Sequence, residues 1–224
     1  MRYRCIISAT DRAYDFAKKR ILDGRFGGGE LISEGDVADG VGLSRTPVRE
    51  AFLRLESEGL LRLYPKRGAL VVPVSVDEVE SVMETRLIVE RHAIEKVLRR
   101  GVSLDEELAG ALDHQQRLAD VGLASDFVEA DREFHRLFVA AAGNPILLSL
   151  HDSLRDRQSR MGLAALARDG RRTEQILSEH RQLAAAISEA DLDRSLRIID
   201  SHLQRTLALL LPQAYSAGEP RRGH

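Results

Sequence analysis

The sequence predicts a mainly α-helical protein, with an N-terminal winged helix-turn-helix followed by an all-α antiparallel helical bundle of six or seven helices. Two observations lead to this fold class. Residues 31–72 carry two helical segments with capping residues, then an alternating run interrupted by a basic turn. From Ser75 onward, apolar residues recur at helical spacing almost to the end of the chain. With 224 residues, 43% hydrophobic and 30% charged, the chain is long enough for two globular domains.

The segment 44–61, with the sequence SRTPVREAFLRLESEGLL, has the features of a helix with defined ends. Ser44 is expected to cap the helix through its hydroxyl, and Gly59 marks its end. One face is apolar, whereas the first turns carry Arg45 and Arg49. Such arginines meet base edges and phosphates in the major groove of DNA, so we interpret the segment as a recognition helix. An ordinary surface helix is the alternative.

The flanking segments complete a helix-turn-helix and add a wing. Residues 31–43 give a short capped helix and a glycine-containing turn. Residues 61–72 alternate, turn at a basic segment that contains Lys66 and Arg67, and resume as a β-rich run, which is typical of a hairpin. A basic wing is therefore predicted directly after the recognition helix.

The charge distribution and the cysteine content indicate which binding partners and which cellular compartment to expect. The formal net charge is −2, but the first 72 residues are net positive and the remainder is net negative. A positive excess on the first domain suits contact with phosphates. The single Cys5 excludes an intramolecular disulfide, and no apolar stretch approaches the roughly 20 residues that span a bilayer. We expect a cytoplasmic protein with no membrane association.

The second domain is predicted to be entirely helical. Six helices form the working count, and a split of one of them would give seven. The predicted helices lie near 76–100, 104–121, 126–142, 145–165, 172–190 and 192–211. The domain boundaries are placed at 8–74 and 75–213, and residues 214–224 lack periodicity and are predicted to be a flexible tail.

Four side chains of the helical domain suggest a metal site. Asp131 and His135 stand four residues apart on one predicted helix and so share a face. His180 and His202 come from two later helices. A carboxylate and three imidazoles suit zinc above all, with manganese, nickel or cobalt as alternatives. Spacing alone is permissive, because histidines on helices are most often ordinary surface or core residues.

The N-terminal segments resemble the winged helix-turn-helix of GntR-type bacterial transcription regulators over about residues 10–74. The matching residues are Ser44 to Ala51, Arg54-Leu55, Glu58-Gly59-Leu60 and Arg67-Gly68. The resemblance implies that double-stranded operator DNA is contacted by the recognition helix and the wing. The implied contact residues are Ser44, Arg45, Thr46, Arg49, Lys66, Arg67 and Gly68. Two departures are present: Gly35 stands where the family usually has an arginine, and Gly28-Gly29 replaces a common Pro-Gly.

The helical domain resembles the C-terminal effector domain of the FadR branch of this family, called FCD. Its metal-bearing members carry Asp-x-x-x-His and two later histidines, which Asp131, His135, His180 and His202 match. The resemblance also implies that Arg86 lines an effector cavity and pairs with a ligand carboxylate; an ion pair with Glu90 is the alternative. Arg157 is a second candidate for effector contact, although it lies on a charge-rich face.

Together these features predict a ligand-gated DNA switch. A small organic acid bound at the metal-containing pocket would control the affinity of a homodimer, acting as a repressor, for a palindromic operator. Two other classes stay open: a metal sensor, and less plausibly a metal-dependent hydrolase or lyase. For the enzyme class no catalytic partner is evident, because Glu133 and Glu179 are predicted to point to other helix faces than the adjacent ligands.

Overall fold

The computed structural model describes residues 8–211, and the chain divides into two compact units between Val74 and Ser75. The described residues form ten helices and one three-stranded sheet, as the predicted fold class requires. No helix in this range is long and apolar enough to cross a membrane. The predicted tail, 214–224, lies outside the described residues.

The first unit contains three helices and the sheet. Its elements in chain order are α1 (Ala9–Leu22), β1 (Leu31–Ile32), α2 (Glu34–Val41), α3 (Arg45–Ser57), β2 (Leu61–Tyr64) and β3 (Gly68–Val71). The apolar face of α3 supplies Val48, Phe52 and Leu55, which are fully buried in the core of this unit. α2 and α3 therefore form the predicted helix-turn-helix, and burial of this face leaves the opposite face of α3 exposed.

The start of α3 differs from the sequence expectation in one respect. Ser44 has the extended backbone of a capping residue, but its side chain makes no capping hydrogen bond. A capping hydroxyl accepts from the second or third N–H of the helix, and the third residue of α3 is Pro47, which has no N–H. The predicted hydroxyl cap is therefore wrong. By contrast, Ser33 caps α2 by accepting from the backbone N–H of Asp36 at 3.0 Å.

The wing is an antiparallel hairpin of β2 and β3, extended by a strand that the sequence did not reveal. β3 lies in the centre of the sheet and pairs with β1 on its other edge. Gly68 begins β3 with φ +98, and a Cβ atom there would lie 2.3 Å from the carbonyl oxygen of Ile32. Only glycine fits this close approach between β1 and β3. The structure of the sheet therefore requires glycine at position 68, independently of any contact with DNA.

The second unit is a bundle of seven helices among the residues described. They are α4 (Val76–Arg99), α5 (Asp105–Asp120), α6 (Ala124–Ala141), α7 (Pro145–Ser153), α8 (Arg155–Arg168), α9 (Arg172–Ser188) and α10 (Leu192–Leu210). The segment 145–165, predicted as one helix, is divided at Leu154. This division gives seven helices where the working prediction was six. α6 packs against α4, α5, α7 and α8, while α9 packs against α5, α8 and α10. This arrangement brings α6, α9 and α10 to one buried centre.

Candidate metal centre

The structure brings together the four residues that the sequence suggested as metal ligands. Asp131 and His135 lie on α6, His180 on α9 and His202 on α10, and one ligand atom from each lies within 4.8 Å of the others. The three histidines are buried, and the Asp131 side chain is 20% exposed. Three helices therefore present their donor atoms to one small volume.

Each imidazole is held by an oxygen acceptor at its Nδ1 atom. The three pairs are His135 with Glu90 Oε2 at 2.7 Å, His180 with Gln115 Oε1 at 2.9 Å, and His202 with Glu179 Oε2 at 2.7 Å. An Nδ1 atom facing an oxygen acceptor carries the proton, which leaves the lone pair on Nε2. This is the arrangement that orients and tunes histidine ligands in metal sites.

The free donor atoms of the cluster face one another. The Nε2 atoms of His135 and His180 are 3.2 Å apart, and Asp131 Oδ1 is 3.5 Å from the latter. That Oδ1 atom is buried and has no hydrogen-bond partner. Lone pairs this close repel one another unless a cation lies between them, so the donor set fits a divalent metal ion.

Two histidines of the cluster, His180 and His202, favour the neutral form that binds metals. Burial, together with the nearby charges of His135 and His202, holds the pKa of His180 well below its usual value. Burial also lowers the pKa of His202, in spite of its hydrogen bond to Glu179. Neutral imidazoles at pH 7 need no proton release before they coordinate a metal ion.

The two carboxylates that contact histidine Nδ1 atoms, those of Glu90 and Glu179, stay ionised. Burial acts to raise the pKa of Glu90, but the charge of Arg86 and the contact with His135 outweigh it and hold the pKa well below its usual value. Glu179 behaves likewise: burial is outweighed by the hydrogen bond and charge of His202, and its pKa falls to about 2. Both carboxylates are therefore strong acceptors for their histidines.

Sequence reasoning missed these acceptors, because each lies on a different helix from its histidine. Glu179 was expected to point to another helix face than its neighbour His180 on α9. It does so, but that face turns toward α10, where Glu179 accepts a hydrogen bond from His202, a contact that the sequence did not reveal. Glu133 pairs with Arg132 and its side chain is 48% exposed. No spacing signal in the sequence distinguishes these two glutamates.

A narrow cavity of about 30 Å³ adjoins Asp131 and His202. Three nitrogen atoms of lining residues are buried and have no hydrogen-bond partner: Arg86 Nη2, Gln158 Nε2 and Arg172 Nε. Buried donors without partners are rare in proteins, and this cavity has three of them. Apolar residues complete the walls, among them Val82, Met83, Phe127, Val128, Met161 and Ile176.

The two arginines proposed from the sequence have different positions. Arg86 lines the cavity and also donates from Nε to Glu90 Oε1 at 2.7 Å, so the ion pair with Glu90 is present. Arg157 does not line the cavity. Its side chain is 48% exposed and pairs with Glu78 at 3.1 Å, because its side of α8 is turned toward solvent. Arg157 therefore does not line this cavity with Arg86, whereas Arg172, which the sequence did not reveal, does.

The predicted DNA-contacting side chains are accessible. Ser44, Arg45, Thr46 and Arg49 are exposed at the start of α3, and Lys66 and Arg67 are exposed in the turn of the wing. Lys66 adopts φ 63 at that turn. A basic recognition helix and a basic wing tip therefore lie on the outside of the first unit.

Comparison with known proteins then identifies the family. Residues 9–71 match the bacterial regulatory proteins of the gntR family, and residues 81–205 match the FCD domain. The chain belongs to the GntR family. It is a transcriptional regulator with a helix-turn-helix unit and an FCD unit, not an enzyme, and regulators of this family bind operator DNA.

Two relatives and one solved structure illustrate the similarity. The transcriptional repressor RspR of Escherichia coli K12 is 29% identical over 203 residues, covering 87% of this chain and 86% of RspR. The gluconate operon transcriptional repressor of Bacillus licheniformis is 28% identical over 185 residues, covering 80% and 76%. A GntR transcriptional regulator from Rhodococcus sp. RHA1 shares the fold, with a TM-score of 0.75, 21% identity, and 92% and 98% of the two chains covered.

Proposed function

We propose that this GntR-family regulator is a metal-dependent repressor whose affinity for a palindromic operator is controlled by a small organic acid. The observation that carries the proposal is the convergence of four donor atoms on one point, with each histidine backed by its own acceptor. Buried histidines in an ordinary core would also need hydrogen-bond donors for their Nε2 atoms, whereas here the Nε2 atoms of His135 and His180 face each other and an unpartnered Asp131 Oδ1.

Zinc is the metal that the donor set favours. Three imidazole nitrogens and one carboxylate oxygen satisfy its four-ligand preference, and manganese, nickel and cobalt accept the same donor types. Asp131, His135, His180 and His202 would hold the ion. When bound, the ion supplies an electrophilic centre that an acidic ligand can join by expansion of the coordination shell.

The adjoining cavity supports an anionic effector. Arg86 and Arg172 carry positive charge, and each keeps a buried nitrogen without a partner, as does the Gln158 amide. A carboxylate is the acceptor that guanidinium donors bind most strongly. Since the cavity measures about 30 Å³, a bound acid would have to move its flexible walls, among which are Met83 and Met161. Such movement links effector binding to the positions of α4 and α8.

Control of DNA binding would follow from a change in how two recognition helices are presented. One short recognition helix reads few base pairs, so we propose a homodimer on a two-fold symmetric operator. On α7, Ile146 and Leu150 lie one turn apart and are 78% and 42% exposed, which makes this helix our candidate for the dimer contact. Coupling between effector and operator would amount to roughly 1–3 kcal/mol, or about 5- to 150-fold in affinity.

The deciding experiment combines elemental analysis after extensive dialysis with titration of promoter DNA, with and without chelator and added carboxylic acids. We expect one metal per chain, specific DNA binding, and an acid that changes affinity only when metal is present. If the metal alone changes DNA affinity and dialyses away, the protein is a metal sensor. Specific DNA binding without any metal would remove the metal from the proposal.

Arg49→Ala is expected to abolish operator binding while leaving the metal content unchanged.

A further inference from the structure

Each of the two cavity arginines holds a glutamate that contacts a candidate metal-ligand histidine. In the first of these chains, Arg86 donates from Nε to Glu90 Oε1 at 2.7 Å, and Glu90 Oε2 lies 2.7 Å from His135 Nδ1. Glu90 is fully buried, and the Arg86 side chain is 7% exposed. Because each oxygen of this buried carboxylate has its own short, charge-assisted contact, its position is fixed from two directions.

Arg172, Glu179 and His202 form a second chain of the same kind. Arg172 Nη1 donates to both oxygens of Glu179, at 3.2 and 3.3 Å, and Glu179 Oε2 lies 2.7 Å from His202 Nδ1. Arg172 is fully buried, and its Nη2 atom donates to Thr206 Oγ1 at 2.9 Å. Glu179 also contacts Arg205, whose side chain is 60% exposed. Arg172 is therefore the cation partner of Glu179 that solvent screens least.

Both arginines also face the cavity beside the cluster. Arg86 Nη2 and Arg172 Nε are buried without a hydrogen-bond partner, and both residues line this cavity. Each guanidinium thus presents one nitrogen to a glutamate and another to the space in which we place the effector. Since a guanidinium is planar and moves as one rigid group, a pull on one nitrogen displaces the others.

We propose that Arg86 and Arg172 are positioning residues of the metal centre, which they couple to the effector cavity through two arginine–glutamate–histidine chains. An anion that draws either guanidinium into the cavity would loosen its hold on the glutamate, which would then orient its histidine less well. Neither arginine has to contact the metal ion. The inference rests on the proposed metal centre, and by linkage the metal would affect anion binding in return.

The physical reason is the cost of burying a carboxylate. A buried carboxylate keeps its position only while a cation and hydrogen-bond donors compensate for its lost hydration. Displacement of Glu90 or Glu179 would remove the charged acceptor from a histidine Nδ1 atom. Metal affinity falls when such a partner of a ligand is lost, so each arginine is expected to act on the metal through its glutamate.

The test measures the zinc affinity of the full-length, chelator-treated protein by competition with a metal indicator. Arg172→Met removes the guanidinium and keeps a long, adaptable side chain. We expect it to weaken zinc binding by about tenfold alone, and by less than about twofold in the Glu179→Gln background, because its effect passes through that glutamate. Arg86→Met is expected to behave in the same way with Glu90→Gln.

Three further variants serve as controls. Arg172→Met combined with Glu90→Gln should show the product of the two single losses, because these residues belong to different chains. Arg172→Lys keeps a positive charge beside Glu179 and should recover most of the lost affinity. Arg157→Met removes an exposed arginine that does not line the cavity, and it should leave zinc affinity unchanged.

The melting temperature of each metal-free variant shows whether it folds, and if Arg172→Met does not, the pair of Arg86 and Glu90 decides the question. Equal losses with and without the glutamate, or no loss from either arginine, would overturn the inference while leaving the metal centre in place. A wild-type protein that binds no zinc would instead overturn the proposed metal centre, and the inference with it.

Discussion

His180 is the residue on which the candidate metal centre depends most. Its Nε2 atom lies within 3.5 Å of both another histidine and Asp131, and its ring stacks on Phe134 with centroids 4.1 Å apart. We expect His180→Ala to lose the metal during dialysis, because alanine removes one of the four donors and with it the only ligand from α9. His92→Ala is the matched control, since His92 is exposed on α4. Metal content after dialysis is the measurement, and one metal per chain in His180→Ala would disprove the ligand set.

Glu90 acts through His135 and not as a ligand of its own. Glu90→Gln keeps the shape of the side chain but removes the charge that holds the Nδ1 proton of His135. We expect metal affinity to fall by about 10- to 100-fold, as is usual when a partner behind a ligand is changed. Competition with a metal indicator measures this affinity. Glu84→Gln, exposed on the same helix, serves as the control and should leave it unchanged.

At the scale of elements, the packing of α8 on α6 depends on one glycine. A Cβ atom on Gly162 would lie 2.6 Å from Val128 Cγ1, and both residues line the cavity beside the metal site. Gly162→Ala is therefore expected to lower the free energy of unfolding by about 1–3 kcal/mol through overpacking.

Gly110 provides the matched control for this prediction. It lies within α5, and a Cβ atom there would meet nothing within 4 Å. Gly110→Ala should leave stability unchanged or raise it by up to about 1 kcal/mol. Denaturant unfolding compares the two variants. A destabilisation of equal size in both would show that close packing of α8 on α6 is not the cause.

For the whole molecule, the buried histidines make the stability of the metal-free protein depend on pH. Burial, reinforced by neighbouring positive charges, lowers the pKa of His180 and His202 below 6.5 in the folded chain. The unfolded chain then takes up protons first as the pH falls, and this favours unfolding. We expect stability to be fully present above about pH 6.5 and to decline progressively below it. Thermal unfolding after chelator treatment tests this, and a melting temperature that stays constant between about pH 8 and 5 would contradict it.

Much of the architecture followed from local signals. In the second unit the periodicity of apolar residues placed five helices to within a few residues, while the segment 145–165 divides into α7 and α8. Glycines and capping residues marked helix ends, as at Ser33 and Gly59. The exception at Ser44 has a local contribution too, since Pro47 lacks one of the two N–H groups that a capping hydroxyl can accept from. By contrast, β1 is only two residues long and pairs with a strand far along the chain, so no local pattern revealed it.

The sequence by itself determined the family, the recognition helix and the four candidate ligands, because those signals lie in short motifs and in helical spacing. Only the tertiary structure decided which residue accepts the Nδ1 hydrogen bond of each histidine ligand. The acceptors of the three histidines are 45, 65 and 23 residues away along the chain. Tertiary packing also placed Arg172 in the cavity and Arg157 at the surface. The physical reason is that such contacts depend on how helices rotate and pack against one another, which spacing within one helix does not specify.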